Sequence, residues 1–423
     1  MDKLKLILAL VWAQISKAIP KNWQQYIGYF LVFGATWAAA KLGYDVPTPM
    51  PPIPIWEPGA DDMGWVPDPD AVKEVQDQLD FPSFKQTPAG QADDPLPKSV
   101  YLWHAEKKIL GSVLMKNQLS VGSCVSFGTN NAIRRTMAVQ IAINKLPEEL
   151  KDICEEVTYA GSRVEIGGGR LRGDGSVGAW AAKFVKDYGV VAREVHGKHD
   201  LTKYDPARCR SWGSKGVPDD LEPIARQHPV KDITLVQTWA EAKKALASGY
   251  GIAICSNQGF SMSRDSRGVS QARGSWAHCM CLDGYHTDED GKEYGHITNS
   301  WGDKAHTGPV GWGDPGTDGF WAEARVVEGM LRQKDSWAFS SVKGFPARQI
   351  DWFVKADGKS ENRTLYARLF NPVPERSTET ADAPHLRLLG PLPGLSSASR
   401  GRSRLESESQ GFALSGESQA GPR

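Results

Sequence analysis

The chain has 423 residues, with 50 Lys plus Arg against 50 Asp plus Glu, so its formal net charge is zero. That balance calls for no polyanionic partner and sets nucleic-acid binding aside. The length allows about two to three ordinary domains with a sizeable core, and 43 Gly and 27 Pro imply many loops and turns.

The N-terminus is apolar. Leu4 to Ala13 carries Lys3, Lys5 and Lys17 in or near it, and a second run, Tyr26 to Ala40, holds no charge. With Trp23 and Leu42 at its edges the second run approaches the ~20 apolar residues that a membrane-spanning helix needs. Three readings are open for residues 1–45. Residues 23–42 form a single-pass membrane anchor, or the first run is a signal peptide, or both runs are helices lying on the protein or a membrane surface. For an anchor, Lys3, Lys5, Lys17 and Lys21 precede it, while Asp45, Glu57, Asp61 and Asp62 follow. The positive-inside rule then leaves the N-terminus in the cytosol and exports the rest, so the expected location is membrane-anchored with an exported domain, or secreted.

Residues 46–97 read as a Pro-rich and acidic linker. Pro47 to Pro58 is PTPMPPIPIWEP, a stiff extended spacer, and one short helical pattern follows near Ala71 to Leu79. Residues 98–346 have the alternating apolar patterns of a globular domain. Residues 347–376 are an extension without a clear pattern. From Ser377 to Arg423 the chain is rich in Ser, Arg, Pro, Gly and Glu, the composition of a disordered tail.

Six cysteines are present: Cys124, Cys154, Cys209, Cys255, Cys279 and Cys281. None stands in a CxxC pair, so no thiolate metal site is expected. Cys279 and Cys281 alternate within an apolar run, which places both on one face of a strand. Cys124 opens a helical pattern with Val125, Ile133, Met137 and Ile141 on one side. A thiol in a first helical turn feels the positive end of the helix dipole, which favours the nucleophilic thiolate. Gln118 lies just upstream. Its amide and the backbone N–H of Cys124 are two donors suited to a developing oxyanion. Further along, His278 sits in GSWAHCMCLDGY and Asn299 in GHITNSWG. Cys, His and Asn in this order are a known set of nucleophile, base and orienting group.

These residues resemble the papain-like cysteine peptidase family. Gln118, Gly122, Ser123 and Cys124 match its nucleophile motif, and Ser126 and Phe127 match the residues after it. His278, Gly284 and Tyr285 match its histidine strand. Asn299, Ser300, Trp301 and Gly302 match its Asn-Ser-Trp-Gly intact. The resemblance runs from near Pro97 to near Phe345. It implies an α+β fold of a helical subdomain and a β-barrel-like subdomain, here with N-terminal hydrophobic helices and a disordered C-terminal tail. Cys124, His278 and Asn299 are then catalytic, Gln118 and the Cys124 N–H form the oxyanion hole, and Trp301 shields the His278–Asn299 bond. The substrate is a protein or peptide, cleaved through a thioester without cofactor or metal.

Departures accompany the match. Val125 stands where the family has tryptophan, and Val121 where it has a disulfide cysteine. The glycine edge that pairs with substrate is only loosely echoed, at Asp174, Gly175 and Ser176, and extra residues separate Gly302 from Trp312. The resemblance also implies a Cys154–Cys209 disulfide, in keeping with export. Residues 46–97 are too short and Pro-rich for the family's helical propeptide. Two alternatives stay open. One is a catalytically inactive binding or structural module of the same fold, possible as a membrane-tethered form. The other is a related acyl-transfer enzyme such as a transglutaminase or amidase, against which Asn299 argues, since those use Asp.

Overall fold

The computed structural model describes residues 58–59, 63–144, 149–303, 305–316 and 318–347. The expected anchor at 23–42, the remainder of 1–45 and the tail from Ser377 lie outside the described residues. Among the described residues no helix is long and apolar enough to cross a membrane, and no group of three or more His, Cys, Asp or Glu is placed to hold a metal ion.

Helix and sheet are mixed, as expected. The strands are β1 (Ser99–Tyr101), β2 (Val195–His196), β3 (His199–Asp200), β4 (Asp232–Leu235), β5 (Ile252–Arg264), β6 (Ser270–Thr287), β7 (Glu293–Thr298), β8 (Gly319–Glu323) and β9 (Trp337–Ser340). Seven of them form one sheet in the order β4-β9-β5-β6-β7-β8, with β1 added to β6, while β2 and β3 make a small hairpin. The pairings between these strands are antiparallel. Register shifts between β5 and β6 bend the two long strands, as bulges do. The bend returns the start of β6 to β8, where Val269 bridges Trp321 and Trp321 N–H donates to Gly268 O at 2.9 Å. That partial closure is the barrel-like feature of the sheet.

The helix Cys124–Asn144 lies against this sheet. Its pattern suggested one apolar face, yet Asn130, Asn131, Arg134, Arg135 and Thr136 are buried along with Val125, Phe127 and Ile133. It is a central helix, packed on one side by the sheet and on the other by helices Glu155–Gly161 and Gly178–Asp187. Gly128 sets the approach to the sheet. A Cβ there would stand 2.8 Å from Cys279 Sγ and 2.9 Å from Met280 O. Because Gly128 is one turn beyond Cys124, this contact draws Cys124 onto β6. Cys279 and Cys281 both face the helical side of the core, with Cys255.

The two buried arginines are tolerable because each meets a carboxylate. Arg134 Nε meets Glu106 Oε2 at 3.1 Å, and Arg135 Nη1 also bonds Glu106. Arg135 Nε reaches Asp283 Oδ2 at 2.8 Å, and Asp283 Oδ1 is 2.7 Å from His296 Nδ1. Burial raises the Glu106 carboxyl, but Arg135 and Arg134 outweigh it and hold it below the usual range. Such a pair adds little to stability compared with an apolar core, yet breaking it strands a buried charge. Arg135→Met should therefore lower unfolding stability by about 3–5 kcal/mol. Urea denaturation measures this, and a loss under ~1 kcal/mol would mean that the ion pairs are not intact in solution.

Two expectations are corrected. Residues from Met63 onward are not a free spacer. Asp68 caps the helix Pro69–Gln76, accepting from Ala71 N–H at 2.9 Å, and Val72 and Val75 are buried. Trp65 Nε1 donates to buried Asp335 Oδ2 at 2.8 Å, and Phe84 packs edge-on against Tyr250 and Phe345. The apolar side chains scattered among the prolines find places in the domain core, which composition alone did not reveal. The Cys154–Cys209 disulfide is absent, since both are free thiols. Cys154 donates to Glu156 Oε2 at 3.1 Å, whereas Cys209 packs with Val121 and Tyr159.

Candidate active site

Three pieces of backbone build the site. The long strand β6 carries His278. Strand β7 is paired so that Thr298 lies opposite Cys281, and Asn299 therefore leaves the sheet beside His278. His278 Nε2 and Asn299 Oδ1 are 2.8 Å apart, and Oδ1 also accepts from Ser300 N–H at 2.8 Å. A carboxamide oxygen only accepts, so the His278 proton sits on Nε2 and the lone pair on Nδ1. Trp301 stacks over the His278 ring, with centroids 4.5 Å apart and planes at 27°. Trp276 in turn meets Trp301 edge-on at 4.9 Å. Cover of this kind excludes water and strengthens the bond beneath it.

Cys124 is the first residue of its helix. Its Sγ accepts from the backbone N–H of Cys279, the residue after His278, at 3.4 Å. Among the described residues no hydrogen bond joins the thiol to His278, whose Nδ1 has no partner. Gln118 is fixed through Ser300: its backbone N–H donates to Ser300 O at 2.8 Å, and its Oε1 accepts from Ser300 Oγ at 2.7 Å. One Gln118 amide N–H donates to Val121 O at 2.9 Å, which keeps the carboxamide beside the loop before Cys124. The structure thus brings Gln118, Cys124, His278, Asn299 and Trp301 to one locality.

The glycine edge divides. Asp174 is turned to the loop before Cys124, accepting from Gly122 N–H at 3.2 Å and pairing with Arg210 at 3.3 Å. Gly175 N–H donates to Tyr159 Oη at 3.0 Å. The Ser176 backbone is engaged on both its groups by a neighbouring segment. Ser176 N–H donates to Gly64 O at 2.8 Å, and Val66 N–H donates to Ser176 O at 2.9 Å. On the opposite wall, Gly64 N–H and Trp65 N–H both donate to Ala277 O, at 3.0 and 2.9 Å. Residues 63–66 therefore cross from the Ser176 edge to the residue before His278, parallel to the edge at Trp65. They pass so close to the loop before Cys124 that a Cβ on Gly64 would lie 2.0 Å from Gly122 O.

That cover has an electrostatic consequence. Cys124 and His278 are both 0% exposed. Burial pushes the Cys124 thiol up, the neighbouring Cys279 adds to this, and backbone N–H groups of Cys279, Val125 and Gly64 only partly offset it. Burial likewise lowers His278 to about 4, against a smaller opposing effect of Asn299. Both shifts favour the neutral thiol and neutral imidazole. The covered site holds its parts in place without forming the ion pair that makes sulfur nucleophilic.

Three participants escaped the sequence reading. Residues 63–66 carried one signal, a Gly-Trp pair after the proline run. His306 lay unremarked among the extra residues after Gly302. Asp318 accepts the Asn299 N–H on its carbonyl at 2.9 Å, and its buried carboxyl is raised to about 7 by desolvation. Nothing in its sequence neighbourhood distinguished it.

No protein-family model and no curated protein matches the chain. Among solved structures, similar folds include xylellain, a cysteine protease from Xylella fastidiosa, at 18% identity over 68% of this chain and 94% of that one, with a TM-score of 0.41. Digestive procathepsin L 3 of Tenebrio molitor is 15% identical over 79% and 99%, with a TM-score of 0.41. Procathepsin B S9 from Trypanosoma congolense is 12% identical over 66% and 86%, also at 0.41. Likenesses this distant leave the chemistry to be argued from the side chains.

Proposed function

We propose that the chain is a cysteine peptidase of papain-like architecture, kept latent by its own residues 63–66. One observation carries the reading: a cysteine at a helix N-terminus, a histidine with a fixed tautomer and an asparagine converge at a cleft whose two backbone edges already hold an extended peptide segment. Edges that bind residues 64–66 by main-chain hydrogen bonds can bind a substrate in the same way.

The chemistry follows once the segment is lifted. Water reaches the cleft, so the penalty on charge falls and the thiol proton moves from Cys124 Sγ to His278 Nδ1. The His278 Nε2–H bond to Asn299 and the Trp301 cover steady the imidazolium. The thiolate attacks the substrate carbonyl carbon. The oxyanion receives hydrogen bonds from the Cys124 backbone N–H and the Gln118 amide. The tetrahedral adduct collapses as His278 Nδ1–H protonates the leaving amine, giving a thioester on Cys124. Water, deprotonated by His278, then hydrolyses the thioester and restores the thiol.

The test is covalent. After cleavage of the chain between residues 58 and 66, an epoxysuccinyl inhibitor should add once, and peptide mass mapping should place it on Cys124. Failure to modify Cys124 in the opened protein would leave an inactive module of this fold as the better account.

A further inference from the structure

The Asn299 carboxamide lies between two histidines, and the motif accounts for only one of them. Oδ1 faces His278, whereas Nδ2 lies 3.0 Å from Nε2 of His306. His306 comes from the stretch after Gly302 where the chain departs from the family pattern. It is 3% exposed, and its ring packs on Phe320 with centroids 4.6 Å apart. Arg264 anchors this stretch: one Nη2 donates to His306 O at 3.1 Å and to Gly308 O at 2.7 Å, while Nη1 donates to Gly319 O at 2.7 Å. The loop that carries the second histidine is thereby tied to β8.

An amide nitrogen only donates, so His306 Nε2 must present a lone pair to Asn299. Burial, with the charges of Arg264 and His278 adding to it, lowers His306 to about 3. It is therefore a neutral acceptor at ordinary pH. A flip of the carboxamide would set its NH2 against Ser300 N–H and His278 Nε2–H, and its oxygen against the His306 lone pair. Each of these is a donor–donor or acceptor–acceptor clash.

We propose that His306 is a positioning residue of the site, whose Nε2 accepts from Asn299 Nδ2 and so keeps the Asn299 oxygen on His278. The proposal rests on the peptidase reading. His306 acts through its bond to Asn299; its ring also stacks on Trp301 with centroids 6.4 Å apart, a contact that an aromatic replacement keeps.

The test is ¹⁵N-histidine NMR on the full chain, which needs no access to the covered cleft. In the parent protein His278 should carry its proton on Nε2 and His306 on Nδ1. His306→Phe keeps the ring but removes the acceptor, and His278 should then sample both tautomers. His306→Gln restores an acceptor and should restore the single tautomer. In the opened enzyme His306→Phe should lower kcat roughly 10- to 100-fold with little change in KM. It should have no further effect in an Asn299→Ala background, because both changes act through one bond. A parent protein with the His306 proton on Nε2 overturns the proposal whatever the variants do. If Asn299→Ala disturbs His278 and His306→Phe does not, the proposal fails alone; if neither disturbs it, the peptidase reading fails with it.

Discussion

Cys124→Ala will fold as the parent does and hydrolyse no peptide, with a loss of at least about 10⁴-fold in kcat. Cys124 heads a 21-residue helix, and the substitution removes one buried sulfur without touching the backbone. The fold should lose only about 1 kcal/mol, the ordinary cost of a small core truncation. His278, Asn299, Trp301 and Gln118 are held by one another and by Ser300, not by the thiol, so their arrangement should survive. Peptide turnover and thermal unfolding, measured together on the opened protein, check both halves. Hydrolysis retained by the alanine variant would end the assignment of Cys124, and loss of fold would show the thiol to be structural.

Gly64→Val should do the reverse and make an intact chain reactive. Residues 63–66 lie against the nucleophile loop with no room for a side chain, since a Cβ on Gly64 would stand 2.0 Å from the backbone oxygen of Gly122. Backbone atoms cannot swing aside as a flexible side chain does, so the segment must lift. Overpacking of this kind costs ~1–3 kcal/mol. That shifts the balance toward the open state, and with it the rate of Cys124 alkylation, by about 10- to 100-fold. The rest of the chain has other anchors: the helix Pro69–Gln76, with Val72 and Val75 buried, and Phe84 in the core. Thermal unfolding should accordingly move little. Alkylation at the parent rate would mean that residues 63–66 do not govern access, and the latency reading would fall.

The two outcomes bear on different claims. The first concerns which atom attacks, and the second concerns why the attack is withheld. In the covered state burial acts on both partners at once, raising the thiol and lowering the imidazole, so a proton transfer between them is unfavourable at any pH near neutrality. On the proposed reading, latency needs no strain and no wrong rotamer, only the exclusion of water from two groups that must both be charged.

Short-range chemistry decided much of this protein before it folded. The helix after Cys124, the strand through His278 and the Asn-Ser-Trp-Gly turn are written in local periodicity and residue type; they offered the candidate triad and Gln118, and the resemblance to a known family added Trp301. The alternation that put Cys279 and Cys281 on one strand face is equally local. What the linear chain could not express is which surfaces meet. The zero net charge did not disclose that Arg134, Arg135, Glu106 and Asp283 neutralise one another inside the core, because pairing depends on the distance between segments far apart in sequence. The separation of Cys154 from Cys209 is likewise a property of packing. Residues 63–66 read as part of the 46–97 linker, since a few apolar side chains among prolines find a partner surface only after β6 and the Ser176 loop are in place. His306 is the sharpest case: a lone histidine in a loop acquires a role only when folding sets its lone pair against the nitrogen of Asn299.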